Sequence, residues 1–131
     1  MIDVESKVFQ HCADAFHAEY PNGYISPEYV PQPPCFPACS VVEMDNTVHT
    51  RAMDNGNIEN AADVMYQVDI YSNLIDGKKV QAKAILALID NQMSGYRFQR
   101  TYSNPVPNYN DARVYRITAR YRRMITTTEQ I

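Results

Sequence analysis

The stretch that decides the fold reads VMYQVDIYSNLIDGKKVQAKAILALI and covers residues 64–89. Apolar and polar side chains alternate through its first half, which is typical of a strand with one buried face. The inward set of that strand is Val64, Tyr66, Val68 and Ile70. In the second half, after a turn that ends at Gly77, apolar residues recur at helical spacing: Val80, Ala84, Ile85, Leu88 and Ile89. Strand and helix each have one apolar face to cover, so we expect them to pack against each other.

Length and composition predict one globular domain over residues 1–131. A hydrophobic share of 45% is enough for a core in a chain of 131 residues. The longest apolar run, residues 84–89, is far shorter than the roughly 20 residues that cross a bilayer, so no membrane partner is expected. The N-terminal residues are acidic and lack the apolar run of a secretory signal. Three cysteines, an odd number, suit a reducing compartment, and we expect a cytoplasmic protein with free thiols.

Charge is divided unevenly along the chain, although the formal net charge is only −3. Residues 1–77 hold 12 acids and 2 bases, whereas residues 78–131 hold 3 acids and 10 bases. Either the two halves neutralise each other inside one fold, or copies of the protein meet with acidic surface against basic surface.

The segments around the central stretch predict a two-layer α+β fold. Residues 3–19 have the periodicity of a helix, and residues 39–49, 96–102 and 113–124 alternate as strands. We therefore expect the order α-β-β-α-β-β, with an antiparallel four-stranded sheet and two helices packed on one of its faces.

Three segments have the pattern of neither a helix nor a strand. Residues 21–37 hold six of the eight prolines, which predicts an extended arm that either wraps its own sheet or reaches a neighbouring subunit. Residues 50–63 are polar and contain the Asn55-Gly56 pair of a tight turn, which predicts a projecting loop or an extended hairpin. A loop punctuated by prolines is expected at residues 104–111.

Cysteine and histidine residues raise two chemical alternatives, and neither is strong. Cys35 and Cys39 have a spacing that structural zinc sites use, but the chain has one such pair and Pro37 stiffens it. A Cys–His enzyme would pair a thiol with one of the three histidines, yet no recognised catalytic signature surrounds any of them. The chain also lacks a Gly-x-Ser-x-Gly motif and a glycine-rich phosphate loop. We expect no enzyme activity, no cofactor and no metal site.

The strand at residues 113–124 carries the strongest polar feature. Arg116, Arg120 and Arg122 share its outward face, whereas its tyrosines point towards the core. Arginines interleaved with tyrosines are typical of a nucleic-acid surface, but tyrosines that face the core cannot stack on bases. The arginines would otherwise contact another protein or form a ladder with acids on neighbouring strands. The acids considered for that ladder are Glu43, Asp45 and Asp69.

One series of runs extends over roughly residues 40–124: YQVDIYSN (66–73), GKK (77–79), ALID (87–90), GYRFQR (95–100), PVPN (105–108) and RITARY (116–121). This series resembles the tail terminator, or tail completion, proteins of long-tailed bacteriophages and prophages. The resemblance is one of turn, helix and strand texture rather than of an active-site motif.

The resemblance implies a structural virion protein that assembles into a ring, commonly a hexamer. Such a ring caps the tail tube, joins the tail to the head connector and surrounds a lumen through which DNA passes. The expected partners are further copies of the chain, the tail tube protein and the head–tail connector protein. The expected location is the virion tail, with the host cytoplasm during assembly.

A closed ring needs two different surfaces of the subunit to meet, which suits a chain with acidic and basic halves. The candidate interface residues are Glu43, Asp45, Asp54, Glu59, Arg113, Arg116, Arg120 and Arg122. The alternative function is a nucleic-acid-binding module that uses the arginine-rich C-terminal strand, whose binding would weaken as salt screens the phosphate contacts.

Overall fold

The residues that the computed structural model describes are 1–48, 61–107 and 111–126. Most of the predicted loop at residues 50–63 lies outside these ranges, as does part of the predicted loop at residues 104–111. Two of the candidate interface residues, Asp54 and Glu59, also lie outside the described residues.

Within these ranges the chain forms two helices and five strands, in the order α1 (Glu5–Glu19), β1 (Tyr24–Ser26), β2 (Ala38–Val48), β3 (Ala61–Ser72), α2 (Lys78–Gly95), β4 (Gln99–Val106) and β5 (Tyr115–Thr126). The strands form one sheet in the order β1-β2-β3-β5-β4. The predicted α+β class is confirmed.

The expected four-stranded antiparallel sheet is wrong in its details. Tyr24–Ser26, inside the proline-rich segment, form a fifth strand that pairs in parallel with residues 38–40 of β2. The sheet is therefore mixed, and the order α-β-β-β-α-β-β replaces α-β-β-α-β-β. Three residues are too few to show the alternation of a strand, and prolines are tolerated beside β1 because it is an edge strand.

The central strand β3 buries the face that its alternation predicts. Val64, Tyr66, Val68 and Ile70 are fully buried and share one core with residues of both helices. Both helices therefore pack on the same face of the sheet, as expected. β2 and β5 run antiparallel on either side of β3, so the strand at the middle of the sheet is also the strand that decides the fold.

Helix α2 buries a different stripe from the predicted one. Its buried residues are Ala82, Ile85, Leu86, Ile89 and Met93. The prediction was right for Ile85 and Ile89, but Ala84 is exposed and Val80 is 73% exposed. Apolar residues occupy both sides of this helix, and helical spacing alone does not say which side the sheet covers.

Two irregularities change the outer strands. A β-bulge in β2 between Glu43 and Asp45 shifts the alternation by one residue. Strand β4 continues through Pro105, which pairs with Ile117. The predicted start of the following loop at residue 104 is therefore too early. An edge strand tolerates proline because one of its sides makes no sheet hydrogen bonds.

Candidate interaction surfaces

The sheet face that turns away from the helices, called the outer face below, collects the charged side chains of β3 and β5. The cross-strand pairs that alternation places on it are Met65–Arg122, Gln67–Arg120, Asp69–Thr118 and Tyr71–Arg116. The intervening residues of β5 lie in the core: Ile117, Ala119 and Tyr121. The prediction that the arginines of this strand share its outward face is thereby confirmed.

Asp69 is the centre of a buried polar network on the outer face. Its side chain is 1% exposed, and its Oδ1 accepts hydrogen bonds from Arg116 Nε at 3.1 Å and Arg116 Nη2 at 2.9 Å. The Thr118 hydroxyl donates to the same oxygen, and Gln67 Nε2 donates to Oδ2 at 3.0 Å. A buried carboxylate is stable only when it is paired and hydrogen-bonded, and Asp69 is both. The predicted pairing of Asp69 with an arginine across the sheet is confirmed.

Two tyrosine rings enclose the Arg116 guanidinium. The Tyr71 ring centre lies 5.5 Å from its carbon, and the Tyr29 ring centre lies 5.8 Å from it. Burial lowers the pKa of Arg116, but the neighbouring Asp69 charge and hydrogen bonds outweigh it and leave the pKa above its ordinary value. Tyr29 belongs to the proline-rich segment, so this contact ties that segment to the protein's own sheet.

The remaining arginines of the outer face have other partners than Asp69. Arg120 Nε donates to Gln67 Oε1 at 3.1 Å, and its guanidinium lies 5.6 Å from the centre of the Tyr102 ring. Arg122 lies 3.8 Å from an Asp63 oxygen and its side chain is 62% exposed. Among the described residues, Arg120 thus contacts Gln67 and Arg122 contacts Asp63, neither of which the sequence had proposed as a partner.

The bulge in β2 separates the two acids that the sequence placed together. Asp45 pairs with Met65 and lies on the outer face beside Asp63 and Arg122. Glu43 pairs with Tyr66, which is in the core, so the Glu43 side chain lies on the helix side of the sheet. A ladder in which both acids meet the arginines is therefore wrong, because one extra residue reverses the face of every residue beyond it.

Arg113 lies away from the outer face, before β5 begins. It forms a local pair with Asp111, with 3.1 Å between Arg113 Nε and Asp111 Oδ1. The Lys78 ammonium donates to its carbonyl oxygen at 3.2 Å. Of the candidate residues that the structure describes, Asp45, Arg116, Arg120 and Arg122 share the outer face, whereas Glu43 and Arg113 do not.

The outer face is poorly suited to stacking on bases. The rings of Tyr29, Tyr71 and Tyr102 already lie against guanidinium groups of the same chain. Tyr121 points into the core, as predicted, and its hydroxyl donates to Asp90 of α2 at 2.8 Å. Sheet proteins that bind single strands need free aromatic faces.

A second surface at the start of α2 was missed by sequence reasoning, which placed Val80 in the core. Leu74 is 42% exposed, Val80 is 73% exposed and Ile75 is fully exposed. We name these three residues the α2 patch. Lys79 and Lys83 lie exposed beside it along the helix. Large apolar side chains that lie exposed close together mark a candidate protein–protein contact surface.

Two of the three thiols are buried, and the third is exposed. Burial raises the pKa of Cys12 to about 12 and that of Cys39 well above its ordinary value, so both stay protonated. Cys35 is exposed, and its thiol lies 3.6 Å from the Asn22 carbonyl. His11 stacks on Tyr96, with 4.5 Å between the ring centres. Among the described residues, no group of three or more His, Cys, Asp or Glu side chains could hold a metal ion.

No protein-family model matches this chain, and no curated protein does. Of the helices in the described part of the chain, none is long and apolar enough to cross a membrane.

Proposed function

We propose that this protein is an assembly subunit: a tail terminator that forms a ring on the tail tube of a long-tailed phage and joins the tail to the head connector. The resemblance over roughly residues 40–124 supports the phage assignment. The α2 patch is the observation that carries the assembly role, because it exposes three large apolar side chains beside two lysines. The ring, most simply a hexamer, would leave a lumen for DNA.

The fold supports a role as a rigid building block. Five strands in one sheet and two helices on one face give a body with one continuous core, and its buried Asp69 is paired with Arg116. Burial raises the pKa of the Cys12 and Cys39 thiols, which disfavours the nucleophilic thiolate form of both. Such a body acts through the surfaces that it presents.

The charge division of the chain supports contact between copies. The α2 patch and its lysines belong to the basic half, residues 78–131, or lie just before it. Exposed acids of the other half include Asp14 and Glu19 on α1. A ring uses two different surfaces of each subunit, so a basic apolar patch that meets an acidic helix face would suit its closure.

The outer face supplies a further candidate contact at its open end. Asp45, Asp63 and Arg122 border a depression there, and Arg122 is largely exposed. In a tail terminator this surface would meet the tube protein, the connector or a neighbouring subunit. Arg116 is less suited to that role because its side chain is only 16% exposed.

Tube capping tests the proposal. The purified protein is added to tail tube protein from the same phage or prophage while the tubes polymerise. The proposal predicts tubes that stop growing and carry a ring at one end in negative-stain electron micrographs. A protein that stays monomeric and leaves tube length unchanged would contradict it. A shift of DNA at low salt, with tubes unaffected, would favour the nucleic-acid module instead.

A further inference from the structure

Arg97, which follows the C-cap residue of α2, has a backbone conformation that arginine rarely adopts. Its φ is 63°, and among the described residues it is the only one other than glycine with a positive φ. The Arg97 amide donates to the Ser94 carbonyl oxygen at 2.9 Å. The Phe98 amide donates to the Met93 carbonyl oxygen at 2.9 Å. These two bonds form a Schellman motif, in which glycine is the usual residue at the position of Arg97, because a Cβ is strained there.

The Arg97 side chain makes no contact inside the chain that would explain this strain. It is exposed, and no described residue forms a hydrogen bond or an ion pair with it. A positive charge is favourable at the end of a helix, but Arg123 already supplies one there, because its Nη1 donates to the Tyr96 carbonyl oxygen at 2.8 Å. Burial and the Arg97 charge lower the pKa of Arg123, so the two positive charges lie close enough to repel each other. The nearby Arg100, by contrast, is paired with Asp90 of α2 at 3.3 Å.

Arg97 and the start of α1 lie at the same end of the sheet but towards its opposite edges. Arg97 comes just before β4, which is one edge of the sheet. At the other side, Asn46 of β2 donates to the Ile2 carbonyl oxygen at 2.7 Å, and the exposed Asp3 follows directly. The pairings from β2 through β3 and β5 to β4 are all antiparallel, so β2 ends where β4 begins. A basic residue at one edge and an acid at the other therefore lie at the same height along the strands.

The opposite end of the helix layer has the same division of charge. Lys78, at the start of α2, donates to the Arg113 carbonyl oxygen just before β5. The end of α1 is followed directly by the edge strand β1. The basic α2 patch and the exposed acids Asp14 and Glu19 of α1 therefore also lie towards opposite edges.

Opposite charges at equal height on opposite edges suit copies that meet edge to edge. We propose that Arg97 anchors the contact between two copies of this chain by pairing with Asp3 of the next copy. The inference rests on the assembly role proposed above and adds to it a second charge pair, at the other end of α2 from the α2 patch. A strained residue persists where its side chain serves a function, and here that function is the contact with the next copy. Two different edges of the subunit meet in this contact, as the closure of a ring requires.

Substitution of Arg97 tests the proposal, because stability and assembly should change in opposite directions. Arg97→Gly should raise the Tm by about 3 °C, since glycine removes the strain. The same variant should need at least about tenfold more protein than the wild type to form rings on tail tubes, as measured by mass photometry. Arg97→Lys keeps the charge and is the matched control, which should form rings as the wild type does. Arg97→Glu should prevent rings, and Asp3→Lys in the same chain should restore them.

Four outcomes would overturn this contact. If the wild type and Arg97→Gly form rings at the same protein concentration, Arg97 is no anchor, although the proposed function stands. A lower Tm in Arg97→Gly would show that the arginine serves to stabilise the end of α2. A wild-type chain that caps no tubes and stays monomeric beside them would remove the contact and the proposed function together. A shift of DNA at low salt that Arg97→Gly abolishes, with the rings unaffected, would assign Arg97 to phosphate contacts instead.

Discussion

Single buried residues decide how the sheet of this protein is held together. Asp69 lies in the second half of β3, and both of its oxygens accept hydrogen bonds from groups on β3 and β5. Breaking such a pair by removal of one partner costs far more than the pair is worth in the intact fold, because a buried charge is left behind. Substitution of one partner of a buried pair is therefore expected to destabilise the fold strongly.

Asp69→Ala should lower the free energy of unfolding by about 3–5 kcal/mol, because it leaves the enclosed Arg116 guanidinium without its partner. Urea unfolding followed by circular dichroism measures the change. The double variant Asp69→Ala with Arg116→Met should recover much of that loss. Asp111→Ala, which breaks the exposed pair with Arg113, is the control and should leave the urea midpoint unchanged. Equal effects of Asp69→Ala and Asp111→Ala would contradict the network.

Gly23→Ala should destabilise the fold by about 1–3 kcal/mol, because the added Cβ would lie 2.7 Å from the Phe16 ring and 3.1 Å from the Pro37 carbonyl oxygen. Gly95→Ala, at the end of α2, is the matched control, since nothing lies within 4 Å of its Cβ position. Differential scanning calorimetry compares the two variants. Similar Tm values for both would show that the segment after α1 does not pack on Phe16 as described.

The elements show how far the sequence predicts this fold. The alternation of apolar and polar residues was sufficient to predict β3 and β5, because each is a long strand with one face in the core. Strand β1 could not be predicted, since three residues carry no period and its prolines suggested an arm. The stripe of α2 was ambiguous because Val80 and Ile85 are both apolar, and only the packing of the sheet distinguishes them.

The candidate site was predicted less well than the fold. Asp69 was correctly paired with an arginine, because cross-strand partners of opposite charge attract each other. Strand alternation predicted that Glu43 and Asp45 share one face of the sheet. A β-bulge, which no residue type in the sequence indicates, puts them on opposite faces. The α2 patch was missed because sequence reasoning assigns a large apolar side chain such as Val80 to the core.

The two sides of α2 should respond differently to the same substitution. Ile85→Ser should reduce the free energy of unfolding by more than about 2 kcal/mol, because it empties a fully buried position. Val80→Ser should change it by less than about 0.5 kcal/mol, because the side chain is exposed. Chemical denaturation measures both. A large loss of stability in Val80→Ser would contradict an exposed α2 patch.

In the folded molecule, the charges of the acidic and basic halves of the chain lie partly inside the fold and partly on its surface. Part of it is neutralised inside the fold, as in the pair between Arg116 and Asp69. Part stays on the surface, with Lys79 and Lys83 beside the α2 patch and Asp14 on α1. Neutralisation inside one fold therefore accounts for Arg116 and Asp69, whereas contact between copies through the surface charges stays a prediction.

Assembly through these surfaces can be tested by a charge exchange, measured by mass photometry in the presence of tail tubes. The wild-type chain should form rings, Lys79→Glu with Lys83→Glu should prevent them, and a chain that also carries Asp14→Lys and Glu19→Lys should form them again. The exposed change Lys7→Glu is the control for altered net charge and should leave the rings intact. Rings that persist in the Lys79→Glu, Lys83→Glu variant would contradict the α2 patch as the interface. A wild-type chain that remains monomeric beside tail tubes would contradict the assembly role itself.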